Sequence, residues 1–266
     1  MMDPIAFWGI RWYSILLVLA FIIGYIIIRR LAKQKGIDKN AIDALFVWLI
    51  ISAIVGARLF EVFFYNPTYY FAYPLKILYV WEGGLASHGA IVGMAIATWV
   101  FSQKRKIKFY KLADIIVIAA TFGAVLVRIG NYINQELVGK LTNQNWGVQF
   151  DTAKGLRHPV QLYQAATNFI VFFLSSLLIK LKDGTTFWGF LGIYSIGRFI
   201  TEFWKDESMN MVWGILGGGI NTSQWLSLII IVFSIIALIW IYKDEIQASK
   251  QIQRFRKRKT RTPKKK

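Results

Sequence analysis

Cysteine is absent from this sequence of 266 residues, histidine occurs twice, and acidic residues number 14 against 32 Lys and Arg. A chain without cysteine forms no disulfide and no thiolate metal site, and it supplies no thiol nucleophile of its own. No group of His, Asp and Glu has the spacing of metal ligands, so neither a metal nor another cofactor is expected. The shortage of carboxylates leaves a formal net charge of +18.

Hydrophobic residues make up 56% of the chain, and the mean hydropathy is +0.45 despite the many cations. Both properties fit one protein if the apolar residues lie in lipid and the basic residues lie in loops. We therefore predict an all-α integral membrane protein with about seven transmembrane helices. The predicted spans are residues 11–29, 42–64, 83–102, 112–133, 159–179, 186–204 and 223–242.

The first apolar run has the position of a signal peptide but not its other features. Asp3 precedes it instead of a basic segment, no small-residue cleavage site follows, and it ends in Arg29 and Arg30. We expect it to be retained as a helix.

Basic residues are concentrated in the loops after the first, third, fifth and seventh predicted spans. The positive-inside rule places these loops in the cytoplasm, so the N-terminus is predicted outside and the C-terminus inside. Residues 1–242 are interpreted as one transmembrane catalytic domain. Residues 243–266 are interpreted as a disordered basic tail that lies against anionic lipid, and no nucleic acid partner is expected.

Three arginines, Arg58, Arg128 and Arg198, lie inside predicted spans, where an unpaired cation costs roughly 2.5–3.5 kcal/mol. The predicted topology brings all three towards the outer leaflet. Further polar residues reach the same depth, namely Tyr13, His88, Asn131 and Glu202. Five helices then present polar groups to one layer of the outer half, which we interpret as the active site.

Each of these residues also has a structural interpretation. Arg198 and Glu202 are four positions apart and can neutralise each other on one helix face. Arg58 can pair in the same way with Glu61, and Arg58 is therefore interpreted as structural. Tyr13 can belong to the aromatic belt at the membrane interface.

The two histidines differ in their surroundings. His88 lies among small residues such as Gly84, Ser87 and Gly89, which permit close approach of a substrate. Imidazole exchanges protons near neutral pH, so His88 is a candidate base. His158 precedes a proline at a predicted helix start, which favours a capping or loop role.

Residues 128–136 end a predicted helix with a cation, two Asn amides and a carboxylate. Arg128 and Asn131 share a helix face, and such amides can satisfy backbone groups freed at a helix end. The same set also suits a phosphate, because guanidinium forms bidentate bonds to phosphate oxygens and Asn adds neutral donors.

Several segments together resemble the bacterial prolipoprotein diacylglyceryl transferases. The pattern Arg-x-Gly-Asn-x-x-Asn-x-Glu at residues 128–136 is the most specific match, and the matches run in order from residue 12 to about residue 225. The other matching segments are 12–13, 56–58, 83–89, 137–139, 158–163 and 197–203. The chain departs from the family pattern at Ala90, Gln164 and Lys205, so no carboxylate role can be assigned to position 164.

The resemblance implies transfer of an sn-1,2-diacylglyceryl group from phosphatidylglycerol to the lipobox cysteine of a prolipoprotein, with release of glycerol phosphate. The implied location is the outer leaflet of the bacterial plasma membrane. The implied catalytic residues are His88, Arg128, Arg198 and Tyr13. The implied phosphatidylglycerol-binding residues are Arg128, Asn131, Glu136, Gly139, Arg198 and Glu202.

In this interpretation Arg128 and Arg198 hold the phosphate, Asn131 completes its hydrogen bonds, and His88 accepts the thiol proton. Carboxylates orient the guanidinium groups and a tyrosine positions the headgroup, namely Glu136, Glu202 and Tyr13. Two alternatives remain for the base. An arginine can take part in thiol activation, or the thiolate can form without a protein base while His88 binds lipid.

Two other classes of membrane protein compete with this interpretation. A lipid or anion transporter would bind phosphate with the same arginines but would need access from both membrane faces. A glycerolipid acyltransferase would place its histidine where a cytoplasmic donor can enter. The polar residues cluster in the predicted outer half, which favours an enzyme that faces outward.

Overall fold

The structure, a computed structural model, describes residues 5–7, 10–206 and 220–247, and these residues are mostly helical. Eight α-helices lie within them, together with two ribbons of very short antiparallel strands. The helices are α1 (Trp12–Gln34), α2 (Lys39–Phe60), α3 (Pro67–Ala72), α4 (Ser87–Arg105), α5 (Phe109–Ile133), α6 (Val160–Leu178), α7 (Thr185–Thr201) and α8 (Thr222–Ile241). The ribbons pair β1 (Ile5–Phe7) with β2 (Ile10–Arg11), and β3 (Val148–Gln149) with β4 (Leu156–Arg157).

A helix occupies each of the seven predicted spans, and five of these helices are long and apolar enough to cross a membrane. They are Trp12–Gln34, Lys39–Tyr65, Phe109–Ile133, Val160–Leu178 and Thr222–Ile241. Helix α7 has only 17 residues, about 25 Å at the usual rise, and α4 ends in the polar run Ser102 to Arg105. The protein is thus a multi-pass helical membrane protein, while the count of seven spans and the orientation stay predictions.

Local sequence explains several helix boundaries. Gly36 adopts a φ of 65°, which turns the chain after α1, and the Asp38 carboxylate accepts a hydrogen bond from the Ala41 N–H to cap α2. At the start of α8, Asn221 and Gln224 form a capping box in which each side chain bonds to the other's backbone.

The chain divides into two compact units. The central unit is Phe21–Ala120, and the terminal unit joins Met1–Ala20 to Thr121–Lys266. The prediction of one transmembrane domain over residues 1–242 is not tested by this division. Of the predicted basic tail, residues 243–247 are helical, and residues 248–266 lie outside the described residues.

In the central unit, α2 and α4 approach each other through small residues. Ser52 and Gly56 on α2 face Gly89 and Gly93 on α4, and a Cβ atom added to Gly56 or Gly89 would collide with the backbone carbonyl of the other helix. This small-xxx-small spacing lets two backbones meet, which drives helix association in lipid through van der Waals packing. The contact fixes the N-terminal turn of α4, where His88 lies.

In the terminal unit, α7 packs against both α6 and α8. A Cβ atom added to Gly197 on α7 would collide with the Thr167 side chain on α6, so this glycine allows the two helices to meet. The connection from α5 to α6 is tied down by backbone hydrogen bonds: Gly139 N–H donates to the His158 carbonyl at 3.1 Å, and Lys140 N–H donates to the Trp204 carbonyl at 2.9 Å.

Candidate functional site

Two of the three intramembrane arginines share one pocket in the terminal unit. Arg128 lies near the end of α5 and Arg198 near the end of α7, and α6 supplies the third wall. The pocket is lined by Arg128, Gln164, Thr167, Asn168, Tyr194, Arg198 and Thr201. Two guanidinium groups in one small space repel each other strongly at low dielectric, and an anion between them relieves that repulsion.

The Arg128 guanidinium is oriented by a chain of hydrogen bonds from the end of α5. Its Nη1 donates to Asn131 Oδ1 at 3.2 Å, and Asn131 Nδ2 donates to Glu136 Oε2 at 3.0 Å. Asn134 Nδ2 donates to the other Glu136 oxygen at 3.2 Å. Glu136 therefore acts on Arg128 through Asn131 and not by direct contact, because Asn131 lies three residues along the same helix face.

Asn131 was expected to hydrogen-bond the phosphate, but in the structure it bonds to Arg128 and Glu136. Its side chain is buried, its oxygen accepts from Arg128, and one of its N–H groups donates to Glu136. Neither Asn131 nor Glu136 lines the pocket that Arg128 lines. The geometry favours positioning of Arg128, and direct contact of Asn131 with a phosphate stays a prediction.

Arg198 faces a carboxylate on its own helix face. Its Nη2 lies 3.9 Å from Glu202 Oε2, in the i,i+4 arrangement expected from the sequence, and the Glu202 side chain is fully buried. Lys205 Nζ also approaches Glu202, at 3.3 Å from Oε1. One carboxylate is thus shared by two cations, and the cluster keeps a net positive charge. The Arg198 side chain stays 31% exposed, so it can meet an anion.

Tyr13 packs on the same helix turn that carries Arg128. A Cβ atom added to Gly130 would lie 2.8 Å from Tyr13 Cδ2, so this glycine makes room for the ring. Tyr13 is half-buried and does not line the pocket. Its headgroup-positioning role stays a prediction, although the structure brings it beside the Arg128 turn.

Gly139 and His158 have structural partners. Gly139 is buried, and a Cβ atom there would collide with the His158 carbonyl, the Val160 side chain and the Trp204 carbonyl. Its predicted part in lipid binding is untested, and backbone packing explains a glycine at this position. His158 Nδ1 lies 3.2 Å from the Tyr163 hydroxyl, in keeping with the expected loop role.

His88 belongs to the central unit, at the second residue of α4. Its side chain is exposed, and Nδ1 lies 3.2 Å from the Tyr65 hydroxyl. When Nδ1–H donates to the Tyr65 oxygen, Nε2 carries the free lone pair that a base requires. No other described residue hydrogen-bonds this imidazole, so Nε2 is available to a substrate.

Arg58, also in the central unit, forms its hydrogen bonds within the protein. The residue is 5% exposed, and every guanidinium nitrogen donates to the protein. The acceptors are the Tyr70 hydroxyl and the carbonyls of Lys76, Ile77, Tyr79, Gly83 and Gly84. The considered pairing with Glu61 is not found in the described structure, because Glu61 accepts instead from Asn66 at 2.7 Å. The carbonyls between these short helical turns have no helical partner and accept hydrogen bonds from the guanidinium instead. Backbone acceptors near lipid must be satisfied within the protein.

A family model described as prolipoprotein diacylglyceryl transferase matches residues 4–240 of the chain. The chain belongs to this family. The resemblance inferred from residues 12 to about 225 is therefore confirmed.

Curated relatives in three bacteria bear the name phosphatidylglycerol–prolipoprotein diacylglyceryl transferase. The Tolumonas auensis protein is 36% identical over 250 residues, which cover 92% of this chain and 95% of the relative. The Geobacter sulfurreducens protein is 38% identical over 224 residues, with 82% and 85% covered. The Wolinella succinogenes protein is 35% identical over 246 residues, with 85% and 88% covered.

Sequence reasoning missed part of the pocket in this family member. Asn168 is an amide two turns inside a mostly apolar helix, and its intramembrane position was a usable signal. Tyr194 lies one turn before Arg198 on the same face, which gives only a weak signal because aromatic residues are common in membrane spans. Gln164 was noticed as a departure from the family pattern but was given no function.

Proposed function

We propose that the protein transfers a diacylglyceryl group from phosphatidylglycerol to the lipobox cysteine of prolipoproteins. The thiolate sulfur attacks the glycerol carbon that bears the phosphate ester, a C–S bond forms, and the C–O bond to the phosphate breaks. Glycerol phosphate leaves with the electron pair, and the thiol proton passes to a base. The product is a thioether. The pocket shared by Arg128 and Arg198, in a chain of this family, carries the proposal.

The two arginines match the charge that this reaction develops. The donor lipid carries one negative charge on its phosphate, and the leaving group gains a second as the C–O bond breaks. Guanidinium groups that are already oriented in a low-dielectric pocket stabilise that growing charge without reorganisation. Arg128 is oriented through Asn131 and Arg198 lies beside Glu202, so both are supported by the protein before lipid arrives.

The thiol must lose its proton before it attacks, because the thiolate is the nucleophile. His88 is the proposed base, with its Nδ1 held by Tyr65 and its Nε2 available. Activation by an arginine and thiolate formation without a protein base are the alternatives, and the turnover of the His88 variant described below tests His88 against both.

The proposed setting is the bacterial plasma membrane, with the pocket open towards the outer leaflet. Both substrates belong there, because phosphatidylglycerol is a bilayer lipid and a prolipoprotein signal peptide is inserted in the membrane. The apolar character of the five candidate spans supports residence in a bilayer.

The decisive experiment mixes the purified protein, in nanodiscs that contain phosphatidylglycerol, with a synthetic lipobox peptide. Mass spectrometry should detect a diacylglyceryl adduct on the peptide cysteine. A peptide with Ser in place of Cys is the matched control and should stay unmodified. If the cysteine peptide also stays unmodified while phosphatidylglycerol crosses the bilayer faster than in empty membranes, the transporter alternative replaces the transferase.

A further inference from the structure

The α6 wall of the arginine pocket carries two amides, Gln164 and Asn168, one helical turn apart. Asn168 is 5% exposed, yet its side chain makes no hydrogen bond to any residue that the structure describes. Because Asn168 lines the pocket and makes no bond within the protein, its donor and acceptor groups are available to a ligand there.

The other small polar residues of the pocket are already satisfied. Thr167 Oγ1 donates to the Tyr163 carbonyl at 2.8 Å, and Thr201 Oγ1 donates to the Arg198 carbonyl at 3.3 Å. Such bonds within a helix absorb a hydroxyl without any ligand. Among the α6 residues that line the pocket, the unused hydrogen-bonding capacity therefore belongs to the two amides.

The amides have defined levels relative to Arg198. The Gly189–Leu178 and Gly197–Thr167 contacts show that α6 and α7 run antiparallel. Arg198 therefore lies at a level between Gln164 and Asn168, about 3 Å from each along the helix axis. A phosphate held at the level of Arg198 would have one amide on either side, near the headgroup attached to it.

The charges of the pocket restrict which headgroup can enter. Two guanidinium groups line it, and none of the described lining residues is a carboxylate. A lipid whose headgroup ends in an ammonium is therefore disfavoured by repulsion, whereas an uncharged headgroup is not. Amides provide both a donor and an acceptor, which is the combination that hydroxyl groups need.

We propose that Gln164 and Asn168 form a subsite that recognises the uncharged, hydroxyl-bearing headgroup attached to the phosphate of the donor lipid. This proposal rests on the proposed function, since it assigns the specificity of the same pocket. The amides act on lipid choice, while the arginines hold the phosphate that all anionic phospholipids share.

The test measures lipid binding, so it does not depend on turnover. Purified full-length protein binds fluorescent phosphatidylglycerol in detergent micelles, and unlabelled phosphatidylglycerol or phosphatidic acid displaces it. Phosphatidic acid keeps the phosphate and the acyl chains but has no headgroup. Asn168→Leu and Gln164→Met remove each amide at similar volume. Ser176→Ala is the matched control on the same helix, outside the pocket lining, at a hydroxyl that donates to the Phe172 carbonyl of its own helix.

Each amide variant should bind phosphatidylglycerol about tenfold more weakly, the factor expected for one lost hydrogen bond, and should bind phosphatidic acid within about twofold of the unmodified protein. Ser176→Ala should change neither affinity by more than about twofold. Equal weakening of both lipids, or unchanged phosphatidylglycerol binding in both amide variants, would overturn the subsite.

Two further readouts keep the outcomes separate. Thermal unfolding midpoints show whether each variant folds, and the more exposed Gln164→Met carries the test if Asn168→Leu does not fold. If the unmodified protein forms no peptide adduct but the headgroup selectivity behaves as expected, the subsite stands and the transferase function fails. If the adduct forms and the selectivity is unaffected in the variants, the subsite alone is wrong.

Discussion

Arg58 in the central unit and the Arg128–Arg198 pair in the terminal unit are all intramembrane arginines by sequence, yet the protein uses them differently. Arg58 is almost fully buried, and all its nitrogens donate to backbone carbonyls or to Tyr70. Arg128 and Arg198 line a pocket; Arg128 donates to Asn131, and Arg198 lies near Glu202 and Ser223. An arginine inside a predicted span is thus expected to have a role. Whether its guanidinium N–H groups are all bonded within the protein distinguishes a structural arginine from one that can bind a ligand.

The local acceptors account for this difference. Two short helical turns, Pro74–Leu78 and Val80–Glu82, lie between α3 and α4, and their ends leave carbonyls without helical partners. One guanidinium satisfies several of them, which makes Arg58 the centre of a folded loop. The ends of α5 and α7 instead present side-chain partners, Asn131 and Glu202, which orient the guanidinium groups but leave donors open.

The largest expected effect is on catalysis at Arg128. Arg128→Ala should lower the rate of peptide-adduct formation by at least about 10³, because it removes a charged donor aimed at the leaving phosphate. The thermal unfolding midpoint should stay near that of the unmodified protein. Arg128→Lys should recover part of the rate, since a lysine keeps the charge but not the bidentate geometry. Robust product from the alanine variant would reject the phosphate-binding role.

His88→Gln tests whether a residue of the central unit acts as the base in the reaction. The expected loss of rate is on the order of 10², the lower range for general-base catalysis. Glutamine keeps a side chain of similar polarity but cannot accept the thiol proton, so the loss reports on the base role. Unchanged turnover would remove the base role and leave His88 a lipid-contact residue.

Arg58→Met should affect stability rather than lipid recognition. Removal of the guanidinium leaves several carbonyls of residues 76–84 without a donor, and a loss of about 3 kcal/mol is expected for a broken buried charge network. Thermal unfolding in detergent measures this loss. Phosphatidylglycerol affinity of the folded fraction should stay within about twofold. A stable Arg58→Met protein that no longer binds lipid would contradict the assignment of Arg58 to structure and of Arg128 and Arg198 to binding.

Glu136→Gln should have the smallest effect, because Glu136 reaches Arg128 only through Asn131. Gln retains one oxygen acceptor but loses the charge, so we expect about a tenfold fall in kcat with little change in KM. Asn134→Ala, which removes the second donor to Glu136, is the matched comparison and should cost less. A rise in KM without a change in kcat would show that Glu136 meets the lipid directly.

Hydropathy predicted the position of every long helix that the structure describes. Five of the seven helices are long and apolar enough to cross a membrane. The predicted span 83–102 begins four residues before α4, because Gly83 and Gly84 adopt positive φ values and belong to the Arg58 loop. A window of apolar residues cannot distinguish a helix from the loop that leads into it. The two very short ribbons were not expected, since strands of two or three residues leave no periodic signal.

The sequence predicted the charged residues of the candidate site but not its neutral polar residues. Arg128 and Arg198 were identified because a cation in a span is costly, and Glu202 because of its i,i+4 spacing. Gln164, Asn168 and Tyr194 were not assigned, because a linear pattern does not show what a neutral polar side chain in a span faces. The acceptors of Arg58 were missed for the same reason.

The sequence by itself determined the helical membrane class, the family and the identities of the charged residues, because apolar run length and the cost of burying charge are local properties. Only the tertiary structure decided that Arg128 and Arg198 share a pocket while Arg58 is occupied by a loop. Those outcomes depend on which side chains and carbonyls meet across different helices, and such contacts join residues far apart in the chain.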